Sequence, residues 1–220
     1  ARNIDSLSDE ELWQLAEWSE EFREVDPLPN FQQCWARQPD NAMFAYAVGR
    51  LLAQRNDPAC LPALEVAASS RQWVTQASEQ AYYFFKRQLR DNDAEQWRLK
   101  AVAQMEYDQR ARQERATLSI KDVFMPPQGL DDVLWSVAGQ WAKHPKVRHV
   151  WAAQKQVQQY PEHPVLVLAV KPKGYIFTPT KLARELLASL ELPMTVFVIV
   201  QAGEHKKGAR RVIKKGLRVL

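Results

Sequence analysis

The stretch PVLVLAVKPKGYIFTPTKLARELLASLELPMTVFVIV, residues 164–200, decides the fold class. From Pro164 to Val170 the chain carries six apolar residues in succession, the pattern of a strand covered on both faces. Thr178-Pro179 then starts a helix with Leu182, Ala183, Leu186, Leu187 and Leu190 at helical spacing, and Pro193 ends it. Met194 to Val200 is a second apolar strand. A helix between two such strands is a parallel crossover, and such crossovers are right-handed. The chain therefore holds a small mixed sheet with helices packed on it.

Working outward toward the N-terminus, VRHVWAAQKQV (residues 147–157) is rich in β-branched residues and reads as a further strand. Before it, Leu130, Val133, Leu134, Val137, Ala138 and Trp141 make a helix that ends ahead of His144-Pro145. FMPPQGL, with Pro126, Pro127 and Gly129, separates this region from what precedes it. Glu106 to Arg115, EYDQRARQER, reads as a solvated helix end leading into a linker.

Toward the C-terminus, residues 205–220 read HKKGARRVIKKGLRVL, with seven Lys or Arg and no acid. Ala209, Val212, Ile213 and Leu217 fall at helical spacing, so Lys206, Lys207, Arg210, Arg211, Lys214, Lys215 and Arg218 form the basic surface of an amphipathic helix and its end. Gly216 stops that helix and leaves LRVL as a short edge strand whose charge discourages edge-to-edge pairing. The alternative is a nucleic-acid-binding module working through the basic tail, since such cations meet phosphates. The tail contains no aromatic residue to stack on bases. An acidic protein partner or an anionic membrane surface would suit the same charge.

Gly203 and Gly208 in GEHKKG follow a strand at the spacing of a phosphate-cradling loop. Ala209-Arg210 stands where such a loop needs Lys and then Ser or Thr, which removes the magnesium ligand. A stand-alone phosphate-binding enzyme is therefore a second alternative, set against a plain turn with two glycines.

The N-terminal region reads as helices throughout. Ser8 and Glu11 form a capping box, with Leu7 and Leu12 in the staple positions around it. Leu12, Leu15, Trp18, Phe22 and Val25 continue at helical spacing until Pro27 and Pro29 stop the run. Phe44, Ala47, Val48, Leu51 and Leu52 share a face in the next, and Asn56-Asp57-Pro58 turns the chain into a helix carrying Leu61, Leu64 and Ala68. Val74, Ala77, Ala81 and Phe84 mark another, and Trp97, Ala101 and Met105 one more. Starts near Asn41, Pro58, Thr75 and Ala94 give helical pairs of roughly the tetratricopeptide (TPR) period. Val48-Gly49 resembles the small-residue pair of a repeat's first helix, whereas Tyr82-Tyr83 replaces it in the next. The reading is an array of about two pairs.

Charge divides along the same line. Up to Met125 there are 15 basic and 20 acidic residues; from Pro126 onward there are 15 and 6, so the two regions carry opposite signs. A composition of 46% hydrophobic and 25% charged residues excludes a disordered chain. No apolar run approaches the roughly 20 residues needed to span a bilayer. The opening ARNIDSLSDEEL has no signal-peptide core, and its first residue, Ala1, suggests a processed chain or a piece of a longer protein.

Catalytic patterns are not evident. Cys34 and Cys60 sit among helical apolar positions and make no CxxC pair, so reduced core thiols are expected. His144, His149, His163 and His205 are scattered, and no HExxH places two on one helix. No G-x-S-x-G elbow or G-x-G-x-x-G turn occurs. Asp131-Asp132 and Asp91 with Asp93 sit where helix starts favour negative charge. No catalytic and no metal-binding residue is assigned. Of the eight tryptophans, Trp18, Trp97 and Trp141 fit inward stripes, whereas Trp13 and Trp73 fit less well and are the candidate protein-binding residues.

Helical pairs in NAMFAYAVGRLLAQRNDPACLPALEVAA, a charged helix running to RATLSIKDVFMPPQGL, then HPKVRHVWAAQKQVQQYPEHPVLVLAV and LELPMTVFVIV, resemble the C-terminal extension of bacterial membrane-bound zinc metallopeptidases. These are the gluzincins of the heat-shock membrane protease and CAAX prenyl protease type. HExxH and the membrane helices are absent, so the resemblance transfers no catalytic or zinc residue. It implies a non-catalytic protein-interaction or regulatory region, with zinc only in the parent protease. Its partner would be a protein or peptide client, or the protease portion of its own chain. Its location would be cytoplasmic, tethered to the inner membrane through that parent.

The predicted fold is α+β: an N-terminal all-helical, TPR-like helical-hairpin region over residues 1–122, then a small two-layer α/β domain with a mixed sheet and a basic tail over residues 123–220.

Overall fold

The computed structural model describes residues 7–22 and 25–220; residues 1–6 of the opening read above for a leader lie outside them. The fold is α+β, with a helical region followed by a mixed sheet and its helices. Two compact units divide at Asp108 and Gln109.

The first unit contains α1 (Asp9–Phe22), α2 (Leu28–Arg37), α3 (Ala42–Gln54), α4 (Cys60–Ala68), α5 (Val74–Arg87) and most of α6 (Asp91–Ala116). The capping box forms: the Ser8 N–H donates to Glu11 Oε2 at 2.9 Å, and the Glu11 N–H donates to Ser8 Oγ at 3.2 Å. Leu7 packs beside buried Leu12, as a staple should. The inward stripe of α1 differs from the predicted one, because Leu12 and Ala16 are buried while Trp18, Phe22 and Val25 are 57%, 66% and 64% exposed. The helix packs through the stripe containing its small residue, where a neighbour approaches most closely. Pro27 and Pro29 do more than end the first run. They open α2, which the sequence reading passes over; Pro is compatible with a first helical turn, and Asp26 Oδ1 accepts from the Leu28 N–H at 3.0 Å.

Asn41 caps α3 by accepting from the Met43 and Phe44 N–H groups, and Phe44, Ala47, Val48, Leu51 and Leu52 are buried as predicted. Gly49 marks the closest approach of α3 to α4: a Cβ there would lie 2.7 Å from Leu64 Cδ2. Asn56 turns the chain with φ 59°, and Asp57 Oδ1 accepts from the Ala59 N–H to start α4. Trp97 is buried against this core, whereas Met105, expected on the same stripe, is 57% exposed.

In the second unit the end of α6 is neither free nor a linker, contrary to its polar composition. Glu114 carboxylate oxygens accept from the Gln158 and Gln159 N–H groups, and Arg115 donates to the Gln159 and Tyr160 carbonyls. The polarity serves the backbone of a loop, and only Ala111 is fully buried among these residues.

The sheet comprises β1 (Phe124–Met125), β2 (Val147–Lys155), β3 (Val165–Pro172), β4 (Thr195–Val200) and β5 (Leu217–Arg218). β3 lies between β2, to which it is antiparallel, and β4, to which it is parallel with Val165 opposite Thr195. β1 and β5 both pair antiparallel with β2, at Gln154–Lys155 and Trp151–Ala152 respectively. The β3–β4 crossover runs through α8 (Pro179–Ala188), as predicted. α7 (Asp131–Trp141) and α8 bury Val137, Trp141, Leu182 and Leu186 against Val150, Leu166, Leu168 and Val170. α9 (Lys206–Lys215) buries Ala209 and Val212 against Ala153, Val167, Ala169 and Ile199, on the opposite face. This last helix adds a third layer to the two predicted, which is why Val165 through Val170 are all buried.

Candidate functional site

Trp13 and Trp73 line one groove. It has a volume of about 270 Å³, and its walls come from α1, α3, Phe31 of α2 and the residue that precedes α5. Trp13 packs edge-on against Phe31 at 4.9 Å and stacks on Phe44 at 5.1 Å, so half of the ring belongs to the core. Trp73 stacks on Tyr46 with centroids 4.7 Å apart. Burial raises the Tyr46 hydroxyl above its ordinary pKa, so it remains a neutral donor and acceptor. At the rim, Arg50 reaches both carboxylate oxygens of Glu20 at 2.7 Å. This fork is the geometry in which Arg holds a carboxylate best.

Indole N–H groups sort the tryptophans. Trp35 donates to the Pro39 carbonyl at 2.8 Å and Trp141 to the Ser189 hydroxyl at 3.0 Å. Neither Trp13 nor Trp73 has a hydrogen-bond partner among the described residues, although both line the groove. A half-buried indole with a free donor is suited to a backbone carbonyl from outside.

The basic tail forms the helix and edge strand expected of it, but its cations do not act as a set. Arg211 is half-buried, donates to the Ile120 and Asp122 carbonyls and lies over the Phe124 ring at 5.4 Å. Arg218 donates to His149 Nδ1 at 2.8 Å, which fixes the neutral tautomer with that nitrogen as acceptor. Lys206, Lys207, Arg210, Lys214 and Lys215 are exposed. Gly203 opens a short 3-10 turn (Gly203–His205) and Gly208 already lies inside α9, so the segment between the two glycines is helical and makes no open cradle.

Both cysteines are buried and unpaired, and desolvation pushes the Cys60 thiol up to about 11. Neither is a ready nucleophile. No three His, Cys, Asp or Glu side chains gather into a metal-holding group among the described residues, and no helix there is long and apolar enough to cross a membrane.

The sequence reading missed the loop after β3, where Tyr175 and Phe177 are 81% and 88% exposed. A short apolar run between Gly174 and Pro179, too short for a strand and outside any helical stripe, is the signal that marks it. Trp18 and Trp135 are also exposed, at 57% and 76%. Comparisons with protein-family models, with curated proteins and with solved structures find no match to this chain.

Proposed function

We propose that this chain is a non-catalytic protein-interaction region whose helical unit holds an extended segment of a client across the Trp13–Tyr46–Trp73 groove. The carrying observation is that two tryptophans 60 residues apart in sequence meet at one groove with indole donors that have no partner among the described residues. Odd-numbered helices begin at Asp9, Ala42 and Val74, and even-numbered ones at Leu28, Cys60 and Asp91, so successive pairs are offset by 31 to 33 residues. That offset supports a TPR-like array, and most of the groove's lining comes from the odd-numbered helices α1 and α3, on the side where stacked pairs leave a binding surface. Aromatic walls would take apolar client side chains, the indoles would meet backbone carbonyls, and the Arg50–Glu20 pair would choose between charged neighbours.

The sequence resemblance further suggests that the region belongs to a membrane zinc metallopeptidase and presents substrate to a catalytic portion outside these residues. Binding of a reduced and alkylated, permanently unfolded protein tests the first part, with Trp73→Ala expected to weaken capture at least tenfold. Equal capture by the parent and the variant rejects the groove. Probing fractionated source cells with an antibody to this segment tests the second: the metallopeptidase reading requires a membrane-fraction band well above the mass of this chain.

A further inference from the structure

We propose that the loop between β3 and α8 docks the second unit onto an anionic membrane surface. Tyr175 and Phe177 would enter the boundary between headgroups and acyl chains, and the surrounding lysines would meet lipid phosphates. The proposal goes beyond the client-binding reading and rests on different residues, so either can fail alone.

The loop alternates. Ile176 packs onto the core formed by α7, α8 and the sheet, while its neighbours Tyr175 and Phe177 point away and are 81% and 88% exposed. Gly174, with φ 72°, turns the chain out of β3, and Pro179 returns it into α8. The rings meet edge to face, 4.8 Å apart at 85°. They therefore form one apolar knob, held from behind by an aliphatic anchor. A knob of this kind is costly to leave in water, and aromatic rings favour the membrane–water interface.

Charge surrounds the knob. Residues 174–180 carry none, while Lys171 and Lys173 precede the rings and Lys181 follows them, all exposed. From the other side Lys206, at the start of α9, lines the same shallow groove of about 370 Å³ as Tyr175 and Phe177, and Lys207 follows it. Across 171–181 and 203–207 the one carboxylate is Glu204, which is exposed and lies 3.4 Å from His205. An apolar tip inside a lysine collar matches the layered order of a bilayer surface. Two weak signals of this kind, insertion and electrostatic attraction, together achieve what neither achieves alone.

Geometry favours lipid over nucleic acid. Bases stack on ring faces, and successive bases need open faces side by side. Here one ring's edge covers the other's face, so the pair offers no continuous platform.

The test is sedimentation of the full chain with vesicles of equal parts phosphatidylcholine and phosphatidylglycerol, against vesicles of phosphatidylcholine alone. The chain should sediment with the first and remain in solution with the second. The double variant Tyr175→Ser, Phe177→Ser should lower partitioning roughly tenfold or more. Each of Lys173→Gln, Lys206→Gln and Lys207→Gln should lower it about fivefold at low salt, an effect that shrinks as salt screens the charges. All five side chains are exposed, so melting temperatures should match the parent, and a shifted melt would make the Tyr175→Phe, Phe177→Tyr exchange, which should retain binding, the deciding comparison. Equal binding to both vesicle types, or binding indifferent to the rings, overturns the proposal. Capture of single-stranded oligothymidylate that needs the rings, with no vesicle binding, assigns the loop to nucleic acid instead. Competition by inorganic phosphate that leaves ring variants unaffected reduces it to a simple anion site.

Discussion

Lys155 and Asp122 meet inside the second unit, with Nζ 3.1 Å from Oδ1 and only 3% of the lysine side chain exposed. Lys155 also donates to the Glu114 carbonyl at 2.7 Å and to the Thr117 carbonyl at 2.8 Å. One ammonium thus ties β2 to the end of α6 and to the segment that follows it. Removing the carboxylate strands a buried charge, which costs several kcal/mol, whereas two carbonyls remain to soften the loss. Asp122→Ala should destabilise the chain by roughly 3 kcal/mol in urea unfolding. A midpoint unchanged from the parent would show that the pair is merely adjacent.

How much of this was legible in the sequence depends on which force set each feature. Strands β2, β3 and β4, the crossover and the tail helix were readable, because runs of apolar residues and Pro or Gly punctuation act locally. The third layer was not, since nothing in the spacing of Ala209 and Val212 says which face of the sheet they cover. Trp18 and Ala16 compete for the inward side of α1, and only the neighbouring helix decides between them. Lys155 reads as a surface residue in any strand pattern, and its burial follows from partners in the distant segment 114–122. At the groove, Trp13 and Trp73 were visible as misfits to their stripes, but Tyr46 joined them only in three dimensions.

His149 and Arg218 carry a pH dependence. Desolvation first, then Arg218, Arg148 and Lys171, hold the His149 pKa below its ordinary 6.5. The folded state therefore binds fewer protons than the unfolded one near that pH, and stability present above it is lost as pH falls. Protonation also removes the lone pair that accepts from Arg218, so β5 should loosen first. Amide exchange at Val219 and Leu220, which bond to the Val150 carbonyl, should accelerate relative to β3 between pH 7.5 and pH 5.5, about a unit either side of the free imidazole value. His149→Gln should flatten that response, and an unchanged response would remove His149 as its source.

Gly49 is fixed by contact rather than by backbone angle. A methyl at this position meets Leu64 Cδ2 at 2.7 Å, Cγ at 2.8 Å and the backbone nitrogen at 3.1 Å, and Leu64 is fully buried. Ala gains up to about 1 kcal/mol in helix propensity, but overpacking costs about 1–3 kcal/mol. Gly49→Ala should therefore lower stability by about 1 kcal/mol and Gly49→Val by more. If Ala instead raises the melting temperature, α3 and α4 can separate at little cost.

The thiols offer a direct probe of the helical core. Cys34 and Cys60 are both fully buried, and desolvation raises both pKa values, Cys60 to about 11. Thiolate is then scarce at neutral pH and shielded where it forms. Alkylation by a maleimide, followed by mass, should proceed only through unfolding and rise together with the urea transition. Rapid labelling in native buffer would mean that α2 or α4 opens locally, well before the unit unfolds.

Cations of the tail should separate into two classes on mutation. Arg211 donates to the Ile120 and Asp122 carbonyls and covers the Phe124 ring, so its removal leaves the half-buried Asp122 carbonyl unpaired and uncovers the ring, while water can replace it at exposed Ile120. Lys214 and Lys215 are exposed in the last turn of α9, where positive charge favours the helix end only slightly. Arg211→Ala should cost roughly 1–2 kcal/mol, while Lys214→Gln with Lys215→Gln should cost no more than about half a kcal/mol. Seven basic residues would otherwise read as a single feature. If both changes prove neutral, the 120–122 segment is held by Lys155 and Asp122 without help from Arg211. If the double lysine change proves the more damaging, the exposed face of α9 carries a structural load that its contacts do not display.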